Sequence, residues 1–293
     1  KMEWKIPKRY FKLNLFNDEK ENRTTFADWD ITNKVLFNTS DSVSGGFSEA
    51  NIVLTGLTPE IMGYLASTST QWLATAVNNK IVIDAGYENQ HNIIFSGTIV
   101  EAKPNVDSAN YTLTLKAQSM FFNMLNNTKS YSFSGVKKAS EIANTFAQDL
   151  GFVFINSLDK DVDVTDYNLA DHSIQANIRY LAQITGLDVY TNNNRLYIKE
   201  SGKAINSSTV PELTVDSTNM LGSPKITPQG VEVNIKMNPA VITGQKVKIV
   251  SERFDIINTQ KYILQSINFS GDTRGADWMT HLVLIREDLF GVQ

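Results

Sequence analysis

One order of strands occurs twice in this chain, and that order limits the fold more than any single residue does. In the first half Ala50, Ile52 and Leu54 alternate with Asn51, Val53 and Thr55, and Pro59 follows. Lys80-Ile-Val-Ile-Asp comes next, then Ile94-Phe-Ser-Gly-Thr-Ile-Val, a polar turn with Asp107 and Asn110, and Tyr111 to Leu115. In the second half Val231 to Met237 alternates in the same way and Pro239 follows. Lys246-Val-Lys-Ile-Val, Ile263-Leu-Gln-Ser-Ile-Asn-Phe, a turn with Asp272 and Asp277, and Trp278 to Leu284 complete it. A period of two puts apolar side chains on one face of a strand, as half-buried antiparallel sheets require. Agreement of strand order, turn placement and the strand-proline element reads as a duplicated unit. The chief difference is a helical excursion, Pro59 to Asn79, that shrinks to a brief turn after Pro239.

The clearest strand is Tyr111 to Gln118, where Tyr111, Leu113, Leu115 and Ala117 share a face. Pro104, Asn105, Asp107, Ser108 and Asn110 favour turn geometries and predict the connection before it. Upstream, Tyr10 to Phe16 reads as a strand, Asn17 to Thr25 as a polar loop, Trp29 to Phe37 as a second strand and Thr39 to Gly46 as a loop. Thr58 is a good N-cap and Pro59 suits a first helical turn, so a helix opens there. Trp72, Leu73, Ala76 and Val77 form a second apolar group before the sheet resumes.

From Lys129 the period changes. After a short strand, Tyr131 to Phe133, apolar residues fall at Val136, Ala139, Ile142, Ala143, Phe146 and Leu150. Those steps of three and four predict an amphipathic helix, with Gly151 as its C-terminal cap. Phe152 to Ile155 reads as a strand. Ser173 caps a second helix that ends at Gly186, and a hairpin follows, Leu187 to Tyr190 and Arg195 to Ile198. Gly202 to Thr209 reads as a linker. The fold class is therefore mainly β with an α+β insertion: two related antiparallel β-barrel domains, residues 1–124 (helical excursion about 59–79) and 205–293, separated by a small α+β domain at 129–200.

At 293 residues the chain is long enough for two or three domains with their own cores. It has no cysteine, which excludes disulfides and thiolate metal sites. The net charge of −4 gives no general attraction to nucleic acid or anionic membranes. The opening residues lack the apolar core of a signal peptide, and no apolar run approaches the ~20 residues that span a bilayer. The expectation is a soluble protein with no stable membrane association.

Chemical motifs are sparse. His91, His172 and His281 fall in different units, so they read as ordinary surface or core histidines. Nucleophile elbow, P-loop and dinucleotide fingerprints are absent from the sequence. Asp159, Asp161 and Asp163 carry the spacing of the first ligands of a calcium loop. Val164 then stands where the glycine is required and Ala170 where the bidentate glutamate belongs, so a solvated loop is the favoured reading. The basic and aromatic run Lys8-Arg9-Tyr10-Phe11 reads as an edge or subunit contact rather than a DNA site. No cofactor and no enzymatic activity are expected.

Ala50-Asn-Ile-Val-Leu-Thr-Gly-Leu-Thr-Pro-Glu, Ile83-Asp-Ala-Gly-Tyr-Glu and Ile94-Phe-Ser-Gly-Thr-Ile resemble the first barrel of phage tail baseplate hub proteins. Ser270-Gly-Asp-Thr-Arg-Gly-Ala-Asp-Trp is similar to the closing hairpin of hub proteins and late control gene D products. The Ala139-Ser-Glu-Ile-Ala helix and the hairpin from Leu187 to Ile198 resemble their middle domain. The resemblance covers nearly the whole chain. It implies a homotrimer whose six barrels form a pseudo-sixfold ring, joining a hexameric tail tube or distal tail protein to a trimeric spike or tip. With the sequence ending at Gln293, it implies a spike on a separate chain. It implies transient passage of DNA, a place in the virion tail tip and assembly in the host bacterial cytoplasm. Asp272, Arg274 and Asp277 of the closing hairpin become interface candidates. The alternative is a β-rich receptor- or carbohydrate-binding tail protein.

Overall fold

The structure is a computed structural model that describes residues 7–17, 24–43, 48–70, 77–107, 110–119, 128–287 and 289. A first lobe holds β1 (Arg9–Asn17), β2 (Thr24–Asp30), β3 (Val35–Ser42), β4 (Glu49–Thr55), α1 (Pro59–Thr68), β5 (Asn79–Tyr87), β6 (Gln90–Asp107) and β7 (Asn110–Gln118). A middle unit holds β8 (Thr128–Lys138), α2 (Ala139–Leu150), β9 (Val153–Ser157), β10 (Asp163–Ser173), α3 (Ile174–Thr185), β11 (Leu187–Asn192) and β12 (Arg195–Glu200). A second lobe holds β13 (Leu213–Val215), β14 (Met220–Ile226), β15 (Gly230–Lys236), β16 (Lys246–Ile249), α4 (Asp255–Asn258), β17 (Tyr262–Asp272) and β18 (Trp278–Arg286).

The protein is mainly β, and both lobes belong to one 13-stranded sheet. Its order is β14-β15-β18-β17-β3-β4-β7-β6-β5-β1-β2, with β16 also on β17 and β13 on β16. All pairs are antiparallel except β13 with β16. The sheet curls on itself at each lobe. Inward side chains such as Leu13, Ile52, Ile83 and Leu115 from one lobe and Val233, Ile249, Leu264 and Leu282 from the other join one apolar core.

The two lobes use the same neighbour order. β3-β4-β7-β6-β5 is matched by β14-β15-β18-β17-β16, each series taken in the same chain order. The register agrees across the β6–β7 and β17–β18 hairpins, whereas β14 carries a bulge that β3 lacks. Lys80 pairs Thr98 where Lys246 pairs Ile263. A bulge against β7 falls between Ile99 and Glu101, and a bulge against β18 falls at the same place, between Leu264 and Ser266. Bulges are position-specific features of a sheet, so this coincidence carries more weight than shared alternation.

The middle unit packs α2 and α3 against the small sheet β11-β12-β9 and the hairpin-like pair β8 and β10, around Phe146, Tyr167 and Leu181. Thr58 caps α1 and Ser173 caps α3 as their sequences require, accepting from the N–H groups of Ile61 and Ala176. Gly151 and Gly186 take the left-handed conformation that ends α2 and α3.

Five local readings are corrected. Thr39 to Ser42 are not loop but the second half of β3, paired with β4 on one side and β17 on the other. The segment Trp29 to Phe37 is two strands, not one, because the Asp30 carboxylate accepts the Thr32 N–H and turns the chain. Val136 lies in β8 and not on the helix; it is exposed, and the helix starts at Ala139. The acidic run is not a loop throughout, since β10 begins at Asp163; Asp166 and Asp171 at positive φ bend that strand and erase its period. Pro104 is not in a turn but inside β6, where pairing with β7 continues to Asp107 opposite Asn110. Alternation from that pair turns the Pro104 nitrogen away from β7, onto an edge without a strand partner among the described residues, and proline is tolerated there. The apolar group at 72–76, the loop tip at 44–47 and the basic start at 1–6 lie outside the described residues.

Candidate assembly interface

The feature that organises the molecule is the seam where β17 of the second lobe meets β3 of the first. Ser266 to Asp272 run antiparallel to Leu36 to Ser42. The ladder is prolonged at both ends by Val43 N–H to the Gln265 carbonyl, 3.0 Å, and Thr273 N–H to the Val35 carbonyl, 3.0 Å. Thr273 also accepts the Val35 N–H on its hydroxyl at 2.9 Å. An edge strand of each lobe is thereby paired, which removes two exposed edges at once.

Trp278, at the start of β18, pins the seam from above. Its ring lies edge-on to Phe37, centroids 5.5 Å apart, and to Phe11 at 6.5 Å. Its indole N–H donates to the Gly86 carbonyl at 3.1 Å, so its one polar atom is satisfied while the ring is 5% exposed. The Arg9 guanidinium sits 5.3 Å over the same ring and donates to the carbonyls of Asp272, Gly275 and Ala276 at 3.1, 2.7 and 3.0 Å. A side chain at Gly271 has no room, since its Cβ would stand 2.6 Å from the Phe37 ring and 2.8 Å from Trp278.

Asp272, Arg274 and Asp277 all lie in this β17–β18 turn. Asp272 accepts the Arg274 N–H at 2.8 Å, its own N–H donates to the Asp277 carbonyl, and Arg274 donates to the Thr32 carbonyl across the seam. The structure therefore brings Asp272 and Arg274 to a contact between two lobes of the same chain. Arg9 falls in the basic run read as an edge or subunit contact, and Gly86 and Trp278 fall in motifs quoted for the resemblance, but their meeting with Phe37 was not foreseen from the sequence. The one available signal was Gly271, a glycine inside a strand pattern, which marks a close approach of another element.

A second seam joins the middle unit to the second lobe. The Tyr190 hydroxyl donates to the Thr243 carbonyl at 2.8 Å, Asn192 donates to the Thr243 hydroxyl at 3.0 Å, and the Ile205 N–H donates to the Gly244 carbonyl at 2.8 Å. Asp41 of β3 lies beside Tyr190 and Tyr197, accepting from the Ser48 hydroxyl at 3.0 Å and the Ser42 N–H at 2.9 Å. Burial pushes its carboxyl up to about 7 despite those two donors. Lys199, only 2% exposed, pairs with Asp188 and donates to the Lys203 carbonyl at 2.9 Å.

The acidic run does not converge. Asp159 faces Lys203 at 3.7 Å, Asp163 faces Lys138 at 2.6 Å, and Asp161 turns to the start of α2, accepting from Ser140 and the Val162 N–H. Among the described residues no group of three or more His, Asp or Glu is placed to hold a metal ion. His91 contacts Asp84 at 3.0 Å and stacks on Tyr10, His281 contacts Asn234 at 2.7 Å, and His172 contacts the Ala170 carbonyl. The three imidazoles are in three separate places.

The family described as "Baseplate hub gp41" matches residues 29–283. Among solved structures, the chain is similar to a 43 kDa tail protein of prophage MuSo2 from Shewanella oneidensis, with 11% identity, TM-score 0.63, and coverage of 95% of this chain and 98% of that one. A tail protein from Neisseria meningitidis MC58 gives 10% identity, TM-score 0.61, and coverage of 96% and 97%. An E. coli component of the type VI secretion system, described as similar to the T4 tail proteins gp27 and gp5, gives 9% identity, TM-score 0.58, and coverage of 93% and 76%. At such identities the likeness is one of fold. No curated protein matches.

Proposed function

The chain belongs to the baseplate hub gp41 family, a family of structural phage tail proteins, and from that premise we propose that it is the homotrimeric ring of the tail tip. The observation that carries this reading is the strand order and bulge position shared by the two lobes. A tube ring with six equivalent positions and a spike with three are mismatched in symmetry. A trimer whose subunits each hold two equivalent lobes presents six similar elements on one face and keeps threefold symmetry for a spike. The β17–β3 seam is the joint between adjacent lobes in such a ring. Its lumen is a channel for DNA, and a net charge of −4 favours passage over retention, because every neutralised phosphate adds to binding. The role is one of geometry, without a catalytic step, and it places the protein in the virion tail after assembly in the host cytoplasm.

Native mass spectrometry of the chain, alone and with its tube partner, tests this. A trimer is expected in at least the second mixture. A strict monomer in both contradicts the ring.

A further inference from the structure

The position equivalent to Trp278 in the first lobe is Tyr111. Trp278 pairs with Gly271 across the β17–β18 hairpin, and Tyr111 pairs with Val106 across β6–β7, each the same number of steps beyond the shared bulge. The two aromatics differ in what covers them. Trp278 is 5% exposed because the first lobe receives it, whereas Tyr111 is 45% exposed.

The second lobe has a receiving site at the matching place. Trp278 is held by Phe37 of β3 and by the carbonyl of Gly86, six residues beyond Lys80 in β5. The register carries Phe37 onto β14 between Leu221 and Lys225, and a count of six residues from Lys246, past the end of β16 at Ile249, puts the counterpart of Gly86 at Glu252. A cavity of about 290 Å³ opens there, lined by Met220, Gly222, Ser223, Pro224, Val250 and Glu252. Where the first lobe carries the ring of Phe37, this stretch carries glycine, serine and proline. Val250 of its lining is exposed, as are Leu221 and Phe254, each next in sequence to a lining residue. The volume is at or below the ~300–1,000 Å³ of small-molecule pockets, which suits one side chain better than a ligand.

We propose that Tyr111 of one copy inserts into the cavity between β14 and the segment after β16 of a second copy, repeating between chains the contact that Trp278 makes within one. This rests on the ring reading above and names its intermolecular joint. A head-to-tail contact of this kind closes into a ring when the rotation permits. The joint differs from the intrachain seam in one respect. The outer edge of β6 carries Pro104 and β14 carries a bulge between Leu221 and Lys225, so the strand ladder between copies is interrupted. The aromatic anchor therefore holds a larger share of this contact than Trp278 holds of the β17–β3 seam.

The absence of cysteine makes a disulfide trap direct. The double variant Tyr111→Cys, Ser223→Cys, oxidised with copper phenanthroline, is expected to give linked species that stop at three copies. A control with exposed Ser132→Cys and Ser223→Cys stays monomeric on the same non-reducing gel. Linkage no greater than the control overturns the proposal. Light scattering on the cysteine-free chain, alone and with the tube partner, separates the two readings: a trimer with a failed trap removes this joint and leaves the ring, and no trimer removes both. Tyr111→Ala should weaken self-association by about tenfold or more while leaving the melting temperature of the single chain unchanged. Unaltered association would also overturn the proposal.

Discussion

At the scale of single residues, Asp41 couples the sheet to the middle unit and carries a pH signature. Its carboxyl is raised by burial from 3.8 to about 7, so the folded chain binds a proton that the unfolded chain releases between those values. Stability from this group is therefore greatest below about pH 4 and falls as pH rises to about 7. Because the side chain is only half-buried by area, the full shift is discounted to about 1–2 kcal/mol. Asp41→Asn should raise the melting temperature at pH 8 and flatten its change between pH 5 and 8; an unaltered slope would place the titration elsewhere. Gly244 is a second sensitive position. It sits at φ +82°, and a Cβ there would stand 2.5 Å from the Tyr190 hydroxyl. Gly244→Ala should cost about 2 kcal/mol in denaturant unfolding, combining backbone strain with the break of the Tyr190–Thr243 bond. Asp161 acts as a helix cap supplied from outside α2, accepting the Ser140 N–H, because the side chain of the N-cap residue Lys138 makes no capping bond and pairs with Asp163 instead. Asp161→Ala should cost about 1 kcal/mol, and calcium or EDTA should leave the melting temperature of the natural chain unmoved.

At the scale of elements, the β17–β18 hairpin is the clamp between lobes. Trp278→Ala should destabilise the chain by about 3–5 kcal/mol through the cavity it leaves against Phe37 and Phe11. Trp278→Phe keeps the ring contact and loses the bond to Gly86, with an expected cost of about 1 kcal/mol from that bond. Equal losses in the two variants would assign the stability to the hydrogen bond rather than to packing. The elements that the sequence made legible are those with an uninterrupted period: β4, β7, β15 and β18 alternate cleanly, and α2 and α3 carry both stripe and cap. β10 and β14 were hidden because each is bent, at Asp166 and Asp171 in one and through the Gly222 bulge in the other. Pro104 misled for a different reason. Its strand is an outer edge over that half, and an edge does not need every N–H. The pairing of β3 with β17 escaped notice because it joins positions more than 200 residues apart, and no local pattern encodes such a partner.

At the scale of the whole molecule, one continuous sheet and one apolar core run through both lobes, so the chain presents them as a fixed pair. A fixed pair suits a ring, because the angle between neighbouring lobes within a chain sets the angle that must recur between chains. The middle unit, tied on through Tyr190, Asn192 and Ile205, leaves the outer edges of β6 and β14 without strand partners among the described residues. A cryo-electron microscopy reconstruction of the tail tip without imposed symmetry decides whether the lobes form a ring. Three copies of this chain in one ring are expected, with six lobes at near-equal angular spacing around a central channel and tube subunits stacked on one face. A single copy on the axis, or copies held at the periphery as receptor-binding projections with no lobe facing the tube, would contradict the ring.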